Sequence, residues 1–470
     1  MILLPKLDEN SNMPLYVQIY EYMKQEIVGQ TITENTRLPS IRKMADLLAI
    51  STTPVELAYH QLIDEGYIIS KPKSGYYVKS LPNTIYDNQV NLFDTANVKG
   101  YTPKQVYKYD FHLSKNDFNA FPFQTWRRFF NQVMRHENKD LLFYGDPQGE
   151  EGLRNEIAKY LYQYRGVQCS SDQVVIAADQ YALLNFISQM LQEYSLNVAV
   201  ENPGYILFRS TFKQQGFQIS PIELEKDGIS LQHLYDSKSR IVCVSPSHQY
   251  PRGMIMPVSK RLKLLEWAKQ HDGYIIEDDY DGEFRYHGRP IPSLQGLLPD
   301  TNVIYLGGFS QVLAPAFCIN YMVLPKKLVS TFHLIQQRLL FEQSSSPIHQ
   351  KTLEVFMKEG YLARHIAKMR NIYRKKHDKA IYAIQTHFGE KAIILGEDAG
   401  FHLLIKVHSA KTERELIDLA KHASINIASA TFTWFQSPKE ERKEFILGFA
   451  SMDIDDIEPG IKLLSEVWLK

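Results

Sequence analysis

From Asp110 onward, short apolar runs alternate with segments of helical pattern. Residues 173–177, 197–200, 241–244, 274–277 and 303–306 are the clearest runs, each followed by a loop and a helix-compatible stretch. Strands this evenly apolar are buried on both faces, and strands separated by helices pair in parallel. The alternation predicts an α/β domain with a mostly parallel sheet covered by helices. Ligands in such sheets bind beyond the carboxyl ends of the strands, so the residues just after these runs are the first candidates for function.

The first 80 residues follow another rhythm. Pro14 opens a helix, where its missing N–H costs nothing. Leu15, Ile19, Met23 and Ile27 recur every four residues and form one apolar face. Ser40 can cap a second helix that turns Ile41, Met44, Ala45 and Leu48 inward. Ser51 can cap a third, with Val55, Ala58, Tyr59 and Leu62 inward and Gly66 as the stop. Then 67–70 and 76–78 alternate around Lys73-Ser74-Gly75, which reads as a two-stranded wing.

Two short helices joined by Ala49-Ile50-Ser51 have the geometry of a helix-turn-helix, whose second helix can enter the major groove. Arg42, Lys43, Lys71 and Lys73 are candidate phosphate contacts, and such contacts supply most of the affinity for DNA. Residues 1–80 hold eight lysines and arginines against nine carboxylates. That balance suits equally well a three-helix interaction domain with a solvated charged face. Over the whole chain, 53 Lys+Arg face 53 Asp+Glu, so no global basicity announces nucleic acid.

Hydrophobic content of 44% and charged content of 23% are those of a globular protein, and 470 residues leave room for two or three domains. The three cysteines, Cys169, Cys243 and Cys318, are widely spaced, which speaks against a zinc site and fits a reducing cytoplasm. The start lacks the apolar core of a signal peptide, and no run of about 18 apolar residues suggests a membrane span. Residues 81–108 are polar and irregular and read as a linker between a 1–80 domain and a 109–470 domain.

Leu38-Pro39-Ser40-Ile41-Arg42, Ala45 and Leu48, Val55, Ala58-Tyr59 and Leu62, Glu65-Gly66-Tyr67, and Lys73-Ser74-Gly75-Tyr76-Tyr77-Val78 together resemble the GntR-type winged helix from end to end. The resemblance implies DNA contacts from Arg42, Lys43, Ser51, Thr52, Thr53, Glu56, Lys73 and Gly75. One position departs. The family commonly opens its recognition helix with Ser-Arg, and this chain has Ser51-Thr52. Thr52, Thr53 and Glu56 then present a different reading face, so the operator is not that of relatives.

The strand ends of the larger domain resemble fold-type I aminotransferases. Tyr144-Gly145-Asp146-Pro147-Gln148-Gly149 is similar to their opening segment, and Glu201, Pro203, Gly204 and Tyr205 to the loop that sets an aromatic ring by the cofactor. Ser245 to Gly253, with His248, resembles the loop under the ring. Glu277-Asp278-Asp279-Tyr280-Asp281 resembles the strand end that meets the pyridine nitrogen and phenolic oxygen. Arg364 to Arg374 resembles the interdomain helix. Taken singly, Asp278 reads as a helix cap, Tyr205 as a core aromatic and His248 as a loop histidine. Together with the winged helix they match the MocR subfamily of GntR regulators. That match implies a homodimer, an operator of repeated half-sites, a small-molecule effector, and pyridoxal phosphate as the family's cofactor.

The cofactor pattern is broken in three places. The family has Ser-Lys, a few residues, then arginine before a strand; this chain has Ser310-Gln311 and, further on, Cys318. An amide forms no Schiff base. Where the family places glycine and a small residue to hold phosphate, this chain reads Ala178-Asp179-Gln180-Tyr181. Asp179 is a good N-cap and repels phosphate. Two unit charges about 4 Å apart cost about 4 kcal/mol at an effective dielectric near 20, and a lost arginine contact removes about 1.5–3 kcal/mol more. The sum is on the order of 6 kcal/mol, or roughly four decades of affinity. Asp179, Gln180, Tyr205, His248, Asp278, Tyr280, Ser310, Gln311 and Cys318 thus form a degenerate cofactor pocket. The expectation is a regulator without catalysis or covalent pyridoxal phosphate, with noncovalent binding disfavoured. The competing readings are a pyridoxal phosphate-dependent aminotransferase with an accessory domain, and a regulator holding the cofactor noncovalently.

Overall fold

The computed structural model describes residues 4–5, 7–8, 11, 13–81, 106–286, 290–298, 300–338, 345–397, 399–436 and 442–470. The chain divides into two compact units, Met1–Lys104 and Gln105–Lys470. Most of the expected linker, 81–108, lies outside the described residues.

In the smaller unit, α1 (Leu15–Val28) buries Ile19, Tyr20, Met23 and Ile27, with Pro14 at the cap, one residue ahead of the first helical position. Helix α2 (Ile41–Leu48) starts at Ser40, whose hydroxyl accepts from the Lys43 amide at 3.3 Å. Met44 and Ala45 are buried, while Ile41 and Leu48, expected inward, are half-buried against the same core. The helix ends on Ala49 at φ +53°. That left-handed turn costs an L-residue about 1–2 kcal/mol and leads directly into α3 (Thr52–Asp64). Val55, Ala58, Tyr59 and Leu62 are buried as expected. Ser51 has the backbone of a cap, but its exposed hydroxyl makes no capping bond, which corrects that expectation.

The wing is β1 (Ile68–Lys71) paired antiparallel with β2 (Gly75–Val78). Lys73 at φ +62° and Gly75 at φ +112° make the reversal, and at Gly75 that angle favours glycine. A third segment joins the hairpin: Leu38 N–H donates to the Tyr76 carbonyl at 2.9 Å and Val78 N–H to the Thr36 carbonyl at 3.1 Å.

The larger unit opens with β3 (Tyr109–Asp110), which pairs in parallel with Ile425–Asn426. Helices α4 (Phe123–Val133) and α5 (Glu151–Arg165) follow. Then come β4 (Val174–Ala177), α6 (Gln180–Leu191), β5 (Asn197–Asn202), α7 (Ile206–Gln214), β6 (Gln218–Glu225) and β7 (Gly228–Ile229). Strands β8 (Ile241–Val244), β9 (Tyr274–Asp278), β10 (Val303–Gly308) and β11 (Asn320–Val323) complete an eight-stranded sheet in the order β4-β11-β10-β9-β8-β5-β6-β7. Pairing from β10 through β9, β8 and β5 to β6 is parallel, and every residue of β8 and β9 is buried. Strand β11 is antiparallel to both β10 and β4, because it returns from β10 through residues 309–319, too short a link for a crossover helix. The C-terminal part is a four-stranded antiparallel sheet with the 28-residue helix Tyr361–Phe388 packed on the helix Ile454–Leu469. No helix among the described residues is long and apolar enough to cross a membrane.

Candidate functional site

In the smaller unit the candidate DNA contacts stand on the outside of a closed core. Arg42 and Lys43 are exposed in the first turn of α2, and Ser51, Thr52, Thr53 and Glu56 are exposed at the start of α3. Leu57 and His60, not singled out in the sequence, are exposed on α3 too, and their i+1 and i+4 spacing from Glu56 was the available signal. Lys73 is exposed at the wing tip, and Gly75 is half-buried beside Arg37. Lys71 lies over the Tyr77 ring at 4.5 Å, and Lys24 is held by Tyr20 and Glu65. Tyr59 ties α3 to the loop before α2 through its hydroxyl and the Pro39 carbonyl, 3.0 Å apart.

In the larger unit a cavity of about 480 Å³ opens at the carboxyl ends of β9 and β10. Asp179, Gln180, Tyr205, Asp278, Tyr280, Ser310 and Gln311 line it. Tyr181, Tyr250, Asn320 and His402 also line it. Tyr250 sat unremarked inside the quoted loop from Ser245 to Gly253, and His402 on a later strand carried no local signal. A second hollow of about 510 Å³ lies at the opposite ends of the strands by Asn302 and Lys326, without converging functional groups.

Asp278 is only 4% exposed. Its Oδ1 accepts from the Gln180 amide at 2.7 Å, and its Oδ2 has no hydrogen-bond partner among the described residues. Burial, with Asp279, Asp281 and Glu277 nearby, pushes its carboxyl up to about 7, and the Gln180 bond offsets part of that. Its neighbour Asp279 is satisfied by Arg165 and by the Tyr305 hydroxyl. Glu201, buried at the end of β5, accepts from Ser245 N–H and the Gln249 amide, both at 3.2 Å, and burial lifts its carboxyl to about 8.

Asp179 caps α6 and accepts from the Ala182 amide at 2.8 Å. The strand turn after β10 is pinned from far away in sequence. Asn116 donates its side-chain amide to the carbonyls of Ser310 at 2.7 Å and Gln311 at 3.0 Å. The side-chain amide of Gln311 makes no hydrogen bond among the described residues.

Two residues of the expected pocket lie outside it. His248 is buried behind Tyr280: its Nδ1 lies 2.9 Å from the Tyr280 hydroxyl and 2.7 Å from Asp281 Oδ2. The close approach of Gly400, where a Cβ would stand 2.5 Å from the His248 ring, closes that side. Cys318 is exposed at φ +53°, turned outward by the short helical turn Pro315–Phe317, and Asn320 takes the place on the cavity wall.

A pyridoxal phosphate aldimine needs a primary amine, donors for a dianion and a carboxylate near the ring nitrogen. Among the described residues no lysine or arginine lines the cavity, and the helix N-terminus nearest it holds Asp179. Asp278 meets the third requirement, but among the described residues the amine is missing and only uncharged donors such as Ser310 and Asn320 face a dianion, so the lining does not fit the group.

The comparisons with known proteins follow the same division. The model for bacterial regulatory proteins of the gntR family matches residues 15–78, and that for aminotransferase class I and II matches residues 110–458. The Bacillus subtilis (strain 168) uncharacterized HTH-type transcriptional regulator YdeL is 38% identical over 469 residues, covering 100% of both chains. The probable rhizopine catabolism regulatory protein MocR of Rhizobium meliloti is 31% identical over 476 residues, covering 98% of this chain and 95% of that one. The kynurenine aminotransferase of Pyrococcus horikoshii superposes with a TM-score of 0.69 at 24% identity, over 78% of this chain and 91% of its own, and speaks to the fold alone. With both segments matched in order and full-length relatives above 30% identity, the chain belongs to the MocR-type HTH transcriptional regulators, a GntR-type DNA-binding domain joined to an aminotransferase class I and II domain.

Proposed function

We propose that this regulator uses its larger unit as a sensor and dimerisation domain that neither transaminates nor binds pyridoxal phosphate covalently. The observation that carries the reading is Gln311, which lines the cavity just past β10, where no lysine is found among the described residues. The winged helix, residues 1–80, binds repeated operator half-sites in the cytoplasm as part of a homodimer, and 81–108 tether it to residues 109–470. Exposure of Arg42, Lys43, Thr52, Thr53, Glu56 and Lys73 over a closed core supports the DNA half of the reading.

The test is to add pyridoxal phosphate and then borohydride to the full-length protein. The expected result is no aldimine absorption band and no trapped adduct in the cavity. In Gln311→Lys a weak band appears, and in Gln311→Lys with Asp179→Gly a stronger one, since the capping carboxylate no longer opposes the phosphate. A reduced cofactor–lysine adduct in the wild-type cavity would overturn the reading.

A further inference from the structure

The cavity at the ends of β9 and β10 has an unusual balance of charge and aromatic surface. Its walls include four tyrosines, Tyr181, Tyr205, Tyr250 and Tyr280, and two carboxylates, Asp179 and Asp278. Among the described residues no lysine or arginine lines it. Its one imidazole, His402, is pushed down to about 3 by burial and by the nearby His248, and stays neutral.

Three of the tyrosines form a corner. The Tyr205 and Tyr250 rings are 5.9 Å apart at 81°, and Tyr250 and Tyr280 are 6.0 Å apart at 89°. Near-perpendicular rings turn their π-faces in different directions, and a cation within about 6 Å of such a face is attracted to it. Asp278, 4% exposed, lies on the cavity wall, and its Oδ2 receives no hydrogen bond among the described residues, so it is open to a ligand.

We propose that this cavity binds a small organic cation, an amine or quaternary ammonium with an apolar or aromatic body, between Asp278 and the Tyr205–Tyr250–Tyr280 corner, and rejects phosphorylated ligands. The proposal deepens the sensor reading, on which its regulatory meaning rests. A cation here stabilises the negative charge that burial disfavours on Asp278, whose carboxyl is otherwise pushed up to about 7. The Gln180 amide, held on Oδ1, leaves Oδ2 for the ligand. Leu113, Leu207 and Phe401 on the same walls receive the apolar body, and about 480 Å³ is enough for a single ring with a short side group.

The experiment is calorimetric titration of the full-length protein with benzyltrimethylammonium, benzyl alcohol and benzyl phosphate, three probes of one body and three charges. The ammonium binds at least about tenfold more tightly than the alcohol, since it alone brings a positive charge to the carboxylate and the ring faces, and the phosphate does not bind. Asp278→Asn removes that preference. Tyr205→Leu, which leaves the Gln180–Asp278 pair untouched, weakens the ammonium more than the alcohol. Equal or tighter binding of benzyl phosphate, equal binding of ammonium and alcohol, or no ammonium binding at millimolar concentration would each overturn the proposal. The sensor reading is tested apart, by the protein's affinity for a captured genomic fragment with and without the ammonium. Tight ammonium binding that leaves DNA affinity unchanged sinks the sensor reading and spares the cation site.

Discussion

Arg42 and Asp278 show two ways in which this chain carries charge. Arg42 stands in solvent on α2, above a core made by other residues, so its neighbours impose nothing on it. Asp278 is buried at the end of β9, and Gln180, Asp279, Asp281 and Glu277 all shape its state. An exposed side chain of this kind, like those of Ser51 and Thr52 at the start of α3, can be exchanged without disturbing the core beneath it. A buried site changes as a set, because each polar group needs a partner when water is excluded. Gln180 donating to Asp278 belongs to one such set.

The sharpest way to break this contrast is Arg165→Ala. Arg165 is 1% exposed and bonds Asp279 and Ser247, so its loss strands a buried carboxylate beside Tyr305. A cost of about 3–5 kcal/mol is expected, read from urea unfolding followed by far-UV circular dichroism. A loss under about 1 kcal/mol would mean that the buried network relaxes as freely as a surface. Arg42→Ala should do the reverse. It leaves unfolding unchanged and weakens DNA binding by about 1–3 kcal/mol if it meets a base, or flattens the salt dependence if it meets phosphate. Unaltered affinity and salt slope for genomic fragments would remove Arg42 from the interface.

A finer comparison lies within the small unit. Ser40 makes its capping bond and Ser51 does not. Ser40→Ala should cost about 1 kcal/mol and Ser51→Ala less than half of that, by thermal unfolding of the isolated 1–80 fragment or, if it does not fold alone, of the full chain. Equal costs would show that Ser51 caps in solution. The smallest effect belongs to Cys318→Ser, within about 0.5 kcal/mol for an exposed side chain off the cavity wall, and without effect on cavity ligands. A changed ligand affinity would put Cys318 back into the site.

Much of this was legible in the residues. Apolar runs placed β8 at its observed ends and β9 within one residue, because both strands are buried throughout; the residue missed is the polar Asp278 at the end of β9. The winged helix followed from its periodicity, except that the third segment of the wing, around Arg37, has no alternation to betray it. The cavity was legible where a motif sits at a strand end, as with Asp278, Tyr280 and Gln311. It was not legible where backbone direction decides. A left-handed turn swings Cys318 outward, and a packed loop hides His248 behind Tyr280. Asn116 escaped altogether, since its partners stand 194 and 195 residues away.

The aspartate at the start of α6 has one more consequence. A helix N-terminus attracts anions, and here the anion is already part of the chain. Asp179 is therefore a tethered competitor that never diffuses away. Its effective concentration at the Ala182 amide is at least on the order of millimolar, as for any short covalent link. A free phosphate monoester must outcompete a rival that dilution, dialysis and metabolic change cannot remove. The start of α6 on the cavity wall thus carries a permanent carboxylate that any approaching phosphate must displace or tolerate.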